Sequence, residues 1–272
     1  MRGLKYLALG LCVVFSPIYP DVNDSEKKKE EKHALIINAN SEKRFTKNVS
    51  FVDSVLSKNN YKTYIFDKTK KRDYHVNGIS TKKNIENFFK NVDIRDQDLF
   101  LLYVSGHGSK DTLNGNISST INMSSGDNLD PNSLKKYLKN IDPEKGVLIF
   151  PQCYGWEFGK EFGKENYLTI SLSPKSKPSY GNYFGYGFFK SFNSPKADIN
   201  KDNKISVLEA SVNGCKYDLH TPRLGDYKSF LTGKSYEYSS FSYKNKIFPN
   251  KPRIHSEKTN PANIYLSEKV GF

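Results

Sequence analysis

The sequence predicts an α/β domain in which helices cover both faces of a mainly parallel sheet, forming a three-layer αβα sandwich. Two observations predict it: short apolar runs of strand length, and segments of helical apolar spacing that alternate with them. The apolar runs lack polar alternation, as expected for strands that are buried on both faces. Aromatic residues make up 14% of the 272 residues, which argues against a disordered chain.

The first half of the domain alternates regularly between the two kinds of segment. A buried strand at 33–39 precedes a helix at 46–58, and a second strand follows at 61–67. The next helix can be capped by Ser80 or Thr81, whose hydroxyls suit the first turn of a helix. Its apolar face consists of Ile85, Phe88, Phe89 and Val92.

The second half continues the same alternation. The segment 98–104 is nearly all apolar, as a central parallel strand should be. Asp130 followed by proline predicts a helix start, and two more strands are expected at 146–151 and 167–173. The segment 227–250 has no clear period, and both a hairpin and a packed loop remain open for it.

The amino-terminal residues differ from the rest of the chain. Residues 1–20 combine a short basic start, ten apolar residues and two prolines, which is the layout of a secretory signal peptide. Residues 21–32 form a charged spacer, and residues 33–272 are expected to form one domain. We therefore expect an exported protein, secreted or periplasmic. An uncleaved leader that tethers the chain to a membrane is the alternative.

Charge and cysteine content exclude several classes of protein. The chain carries 42 Lys and Arg against 29 Asp and Glu, a net charge of +13, but the lysines are dispersed along it. This dispersion does not favour a specific nucleic-acid partner, and we expect a monomer. No apolar stretch is long enough for a membrane span beyond the leader. Three cysteines exclude a disulfide-rich scaffold.

Two chemically active residues follow two of the predicted strands. Strand 98–104 continues into SGHG, which contains His107, and strand 146–151 continues into QCYG, which contains Cys153. The carboxyl ends of parallel strands meet at one edge of a sheet, where an imidazole can activate a thiol. The alternatives are an inert buried thiol with a structural histidine, and a disulfide between Cys153 and Cys215.

These motifs resemble the caspase and legumain superfamily of cysteine peptidases, and bacterial legumain-like proteins in particular. Cys153 follows His107 by 46 positions, near the interval of about 50 known for caspases. YFGYGFF and TPRLGD, later in the chain, add to the resemblance. It implies a caspase-like fold and a cysteine endopeptidase with Cys153 as nucleophile and His107 as general acid and base. The N–H groups of Gly108 and Cys153 would form the oxyanion hole, and Arg44 would line the primary specificity pocket.

The chain also departs from the family pattern. Caspases place a glutamine two residues before the nucleophile, whereas Gln152 is adjacent to it, and we assign Gln152 to substrate binding. Tyr154, Gly155 and Trp156 replace the small residue and glycine that many relatives have after the cysteine. The resemblance implies that the partner is a peptide or protein substrate. The alternative is a catalytically inactive binding module that keeps the fold and is stabilised by calcium.

An acidic segment at 198–209 resembles a calcium-binding EF-hand loop. Its candidate ligands are Asp198, Asn200, Asp202, Lys204 through its backbone carbonyl, and Glu209. Asn203 replaces the usual glycine but tolerates the left-handed backbone better than most residues. We expect weak calcium binding, with Kd on the order of 10⁻⁴ to 10⁻³ M. A metal-free, Asx-rich turn before a helix is the alternative, and no organic cofactor is expected.

Overall fold

The structure is a computed structural model, and its described part confirms the expected α/β class. It describes residues 30–70, 72–113, 116–163, 167–173, 179, 183–217, 253–255 and 264–268. Within them the strands are β1 (Lys32–Asn38), β2 (Tyr61–Asp67), β3 (Gly78–Ile79), β4 (Leu99–Ser105), β5 (Gly108–Leu113), β6 (Asn116–Ile121), β7 (Lys145–Phe150), β8 (Tyr167–Ser171), β9 (Lys204–Ser206), β10 (Arg253–His255) and β11 (Tyr265–Glu268). The helices are α1 (Lys43–Lys58), α2 (Lys82–Asn91), α3 (Pro131–Leu138), α4 (Gly155–Phe162), α5 (Tyr183–Lys190) and α6 (Val207–Tyr217).

The central sheet has the strand order β10-β8-β7-β4-β1-β2-β3. All neighbouring pairs are parallel except β10 with β8. The five longest of these strands are β1, β2, β4, β7 and β8, and all five are strands that the apolar runs predict. Every residue of β4 is buried, which is why its sequence shows no polar alternation.

Two apolar clusters lie on the two faces of the sheet. One face packs α1, α5 and α6, with Val52, Phe188 and Ala210 among its buried residues. The other face packs α2, α3 and α4, with Phe89 and Leu134 in its core. Alternate residues of each central strand supply the two clusters, and the result is the expected three-layer sandwich.

The helix starts follow the capping chemistry of the sequence. Thr81 caps α2 by accepting a hydrogen bond from the Asn84 N–H, and Asp130 caps α3 by accepting one from the Ser133 N–H. α1 begins at Lys43, three residues before the expected start, and no side chain caps it. The start of α1 is therefore not fixed by a capping side chain.

Several features differ from the expectations. The hairpin of β5 and β6 follows His107 directly, and its mainly polar sequence gave no strand signal. Cys215, the possible disulfide partner of Cys153, lies inside α6, which continues to Tyr217. The segment 227–250 lies outside the described residues. In the described part of the chain, no helix is long and apolar enough to cross a membrane.

Candidate active site

His107 and Cys153, the two residues predicted to be catalytic, lie at one edge of the sheet. β4 and β7 are adjacent and parallel, with Tyr103 paired to Ile149. His107 follows the last residue of β4 by two positions, and Cys153 follows the last residue of β7 by three. The parallel pairing therefore brings the two short segments to the same carboxyl edge, as the sequence predicts.

Gly108 shows how closely the two segments approach. A Cβ atom placed on Gly108 would lie 2.1 Å from the carbonyl oxygen of Cys153 and 2.9 Å from Cγ of Gln152. No real Cβ makes a contact of 2.1 Å, so only glycine fits here without moving the backbone. The residue after His107 is thus in direct contact with the backbone of Cys153.

The chain turns sharply immediately after Cys153. Tyr154 has a left-handed φ of 60°, and the Gly155 N–H donates to the Gln152 carbonyl at 3.2 Å. A left-handed conformation costs a residue with a side chain roughly 1 kcal/mol or more. This turn places Cys153 directly before α4, where the positive end of the helix dipole favours a negative charge.

The Cys153 thiol is half-buried and points toward the segment that follows β8. Its Sγ donates to the carbonyl oxygen of Ser179 at 3.4 Å, and the Ser179 hydroxyl donates to the Pro151 carbonyl at 2.9 Å. Cys153 bonds to Ser179 and His107 to Glu42, and these hydrogen bonds do not join Cys153 and His107 to each other. Catalytic hydrogen bonds often tighten only when substrate binds, so this arrangement is compatible with a dyad.

The His107 ring is held by residues at the start of α1. Its Nε2 lies 2.8 Å from Oε1 of Glu42, and its ring packs edge-on against Phe45 with centroids 5.1 Å apart. The hydrogen bond with His107 is the main cause that holds the pKa of Glu42 below its usual range. Sequence reasoning missed Glu42. The available signal was its position just beyond β1, at the same sheet edge as the two motifs.

The chain also matches the model of a known protein family. The model described as the Peptidase C13 family matches residues 23–208, more than half of the chain. The chain belongs to the peptidase C13 family. It is therefore a hydrolase of the cysteine-peptidase type, as the resemblance implied.

The crystal structure of drICE, a caspase, aligns with this C13 peptidase at a TM-score of 0.38 and 12% identity, covering 71% of this chain and 84% of that chain. No curated protein matches the chain.

Arg44 of this C13 peptidase is connected to His107 through Glu42, which contacts both side chains. Its Nε lies 2.8 Å from Oε2 of Glu42, and its guanidinium carbon lies 4.5 Å from the centroid of the Phe45 ring. The Arg44 side chain is 57% exposed. The structure thus places a positive charge at the edge of the site, linked to His107 through the Glu42 carboxylate.

Gln152 is buried immediately before Cys153. It is only 4% exposed, and neither its amide oxygen nor its amide nitrogen has a hydrogen-bond partner. Leaving a buried polar group unpaired costs roughly 1–3 kcal/mol, so such groups call for an explanation. The unpaired Gln152 amide lies next to Cys153 in the chain.

The segment 198–209 forms a compact loop closed by its own hydrogen bonds. The Asp198 carboxylate accepts from the N–H groups of Asp202 and Asn203, at 3.2 and 2.8 Å. The Glu209 carboxylate accepts from the Ile199 N–H at 2.7 Å. Asn203 has a φ of 62°, so it takes the left-handed conformation that glycine usually adopts at this position of an EF-hand loop. Among the described residues, no three or more His, Cys, Asp and Glu side chains are grouped to hold a metal ion.

Neither of the two described cysteines, Cys153 and Cys215, forms a disulfide. Cys215 is buried, 4% exposed, inside α6, whereas Cys153 is half-buried at the sheet edge. The disulfide that the sequence left open is not formed in this structure, and the thiol of Cys153 remains available.

Proposed function

We propose that the protein is an exported cysteine endopeptidase in which Cys153 is the nucleophile and His107 the general acid and base. The observation that carries the proposal is the contact between Gly108 and the Cys153 backbone, because it joins the two motifs at one sheet edge. Residues 1–20 lie outside the described part of the chain, and export rests on their sequence alone.

The proposed reaction has two stages. The Cys153 thiolate attacks the carbonyl carbon of the scissile peptide bond, and protonated His107 gives its proton to the leaving amine. The C–N bond breaks and a thioester links the acyl group to Cys153. His107 then takes a proton from water, whose oxygen attacks the thioester. The C–S bond breaks, the carboxylic acid product leaves, and the Cys153 thiolate and protonated His107 are regenerated.

Two groups near Cys153 support stabilisation of the tetrahedral intermediate. The backbone N–H groups of Gly108 and Cys153 are the proposed oxyanion hole, and such donors are worth roughly 10²–10³ in rate each. Gly108 lies against the Cys153 carbonyl, so the two residues are neighbours at the sheet edge.

Substrate selection is assigned to Arg44 and Gln152. Arg44 presents an exposed positive charge beside Glu42, the carboxylate that contacts His107. Gln152 offers an unpaired buried amide. Both chemistries suit a carboxylate or amide side chain before the scissile bond. A panel of peptides that differ only at that position tests the assignment. We expect cleavage after acidic or amide residues, and cleavage only after Lys or Arg would overturn it.

A competing proposal is a caspase-fold binding module that has lost turnover. It is favoured by the hydrogen bond from Cys153 to Ser179 and by the strained Tyr154 turn, which the residues after the nucleophile impose. Labelling of Cys153 by a thiol-reactive peptide probe separates the two proposals.

The deciding experiment is labelling with a thiol-reactive peptide acylating probe at neutral pH, followed by mass spectrometry of the modified peptides. We expect label at Cys153 in the full chain and no label in His107→Ala. Cys215 in the same molecule is the internal control for nonspecific thiol modification. Equal label on both cysteines, or label on Cys153 that persists in His107→Ala, would favour the binding module.

A further inference from the structure

Glu42 makes the closest polar contact of the His107 ring. Its Oε1 lies 2.8 Å from Nε2 of His107, and its Oε2 lies 2.8 Å from Nε of Arg44. Both carboxylate oxygens are therefore engaged, and each holds a different side chain. Phe45 packs against the same imidazole, so the ring is restrained by a hydrogen bond and by an apolar contact.

Glu42 occupies the N-cap position of α1 but does not act as a cap. Its side chain makes no capping hydrogen bond. Ser, Thr, Asp and Asn are the residues favoured at this position, since their short side chains reach the first-turn N–H groups. Neighbouring Ser41 belongs to that favoured class, whereas the longer Glu42 turns toward His107. Helix capping therefore does not explain the glutamate.

The backbone that carries Glu42 is fixed by a relay of asparagine side chains. The Asn40 N–H donates to Oδ1 of Asn38 at 3.4 Å, and the Glu42 N–H donates to Oδ1 of Asn40 at 2.8 Å. Asn38 is fully buried at the end of β1 and donates to Oδ2 of Asp67 at 2.7 Å. This relay connects the Glu42 backbone to the rigid centre of the sheet. Such support makes an exposed carboxylate a useful orienting group.

We propose that Glu42 is the positioning residue of the active site, holding the Nε2–H of His107 so that Nδ1 is the nitrogen that exchanges protons with Cys153. An ionised carboxylate only accepts hydrogen bonds, so the nitrogen facing it must carry hydrogen. The proton-accepting lone pair of the neutral ring then lies on the other nitrogen. The inference rests on the proposed dyad and adds to it the group that selects the tautomer.

The experiment compares three variants with the unmodified full chain. Glu42→Ala removes the acceptor, and Glu42→Gln keeps an acceptor oxygen but removes the charge. Glu86→Gln is the matched control, because Glu86 forms a similar exposed pair, 2.7 Å from Lys90, on α2. The first readout is the rate at which iodoacetamide alkylates Cys153 at pH 7, followed by mass spectrometry. It needs no peptide substrate.

We expect Glu42→Ala to slow alkylation of Cys153 about tenfold, a fraction of the roughly 10²–10⁴ that a general base contributes. Glu42→Gln is expected to be intermediate, and Glu86→Gln to stay within about twofold of the unmodified chain. Equal rates in all four proteins would overturn the proposal. If His107→Ala also leaves the rate unchanged, then the dyad itself fails, and this outcome is distinct from failure of the Glu42 proposal alone.

Steady-state kinetics on a cleaved peptide supplies the second readout. A positioning residue affects the chemical step, so we expect Glu42→Ala to lower kcat about tenfold with little change in KM. Arg44→Ala removes the proposed substrate-binding charge and is expected to raise KM, which separates substrate binding from the role of Glu42. A rise in KM without loss of kcat in Glu42→Ala would assign Glu42 to substrate binding and overturn the proposal.

Discussion

His33 and His107 lie at opposite ends of the adjacent strands β1 and β4, and both have a carboxylate nearby. The His33 side chain is 1% exposed, with Nε2 3.6 Å from Oδ2 of Asp98. The His107 side chain is 40% exposed, with Nε2 2.8 Å from Oε1 of Glu42. A nearby carboxylate alone therefore does not decide the role of a histidine. Access to solvent and to a nucleophile does.

The buried histidine is held in its neutral form by its surroundings. Burial lowers the pKa of His33, and the charges of Asp98 and Glu31 offset this only in part. Burial would raise the pKa of Asp98, but hydrogen bonds from the Arg95 and Glu31 N–H groups and the Arg95 side chain lower it. The amino end of the sheet therefore combines a neutral imidazole with an ionised carboxylate.

Replacing each histidine by alanine is expected to give the largest contrast. His107→Ala should abolish probe labelling and lower peptidase activity by roughly 10²–10⁴, with little change in the free energy of unfolding. His33→Ala should cost roughly 2 kcal/mol or more of stability, because it opens a cavity beside Tyr64, with activity retained at low temperature. Denaturant unfolding and peptide hydrolysis measured on both variants check this. Comparable loss of activity in the two variants would contradict the contrast.

The contact at the carboxyl edge can be tested with Gly108→Ala. The added Cβ would meet the Cys153 carbonyl at 2.1 Å, so we expect the two segments to separate, with loss of labelling at Cys153 and destabilisation of about 1–3 kcal/mol. Gly126→Ala is the control, because no atom lies within 4 Å of its added Cβ, and it costs only the strain of a φ of +78°. Full labelling in Gly108→Ala would show that the edge tolerates separation.

The amino end should make stability sensitive to mild acid. The folded pKa of His33 lies below its unfolded value of about 6.5, so its contribution is present above that pH and is lost as the pH falls. We expect the free energy of unfolding to decline as the pH falls below about 6.5, and His33→Gln to flatten the decline. Denaturant titrations across this range measure it. An unchanged slope in His33→Gln would assign the decline to other groups.

The smallest expected effect concerns the 198–209 loop. If it binds calcium weakly, as the sequence predicts, calcium at about five times Kd should stabilise the protein by about 1 kcal/mol. Asp202→Asn removes one exposed carboxylate of the loop and should abolish the shift. Thermal melts with millimolar calcium and with chelator check this. Identical melting temperatures would mean that the loop is a metal-free turn.

Much of the fold could be predicted because burial on both faces leaves a clear pattern. β2 has the predicted bounds, and Thr81 and Asp130 cap the helices that they were expected to start. The hairpin after His107 could not be predicted, because its strands are mostly polar and are defined by their pairing with each other.

The candidate site was predictable for the residues that strands deliver, and less so for their partners. Cys153 and His107 each follow an apolar strand, so their shared edge follows from parallel pairing alone. Glu42 comes from a loop, and its contact with His107 depends on the side-chain relay from Asn38 and Asn40. Loop geometry of this kind is set by tertiary hydrogen bonds, which apolar periodicity does not encode.

The adjacency of β4 and β7 has a consequence for recognising relatives. Between His107 and Cys153 the chain leaves the sheet, forms the hairpin and α3, and returns in β7. The distance between the two residues in space is fixed by strand pairing, whereas the number of residues in the excursion is not. Homologues can therefore lengthen or shorten this excursion freely and keep the same active site, provided that each residue still ends its own strand.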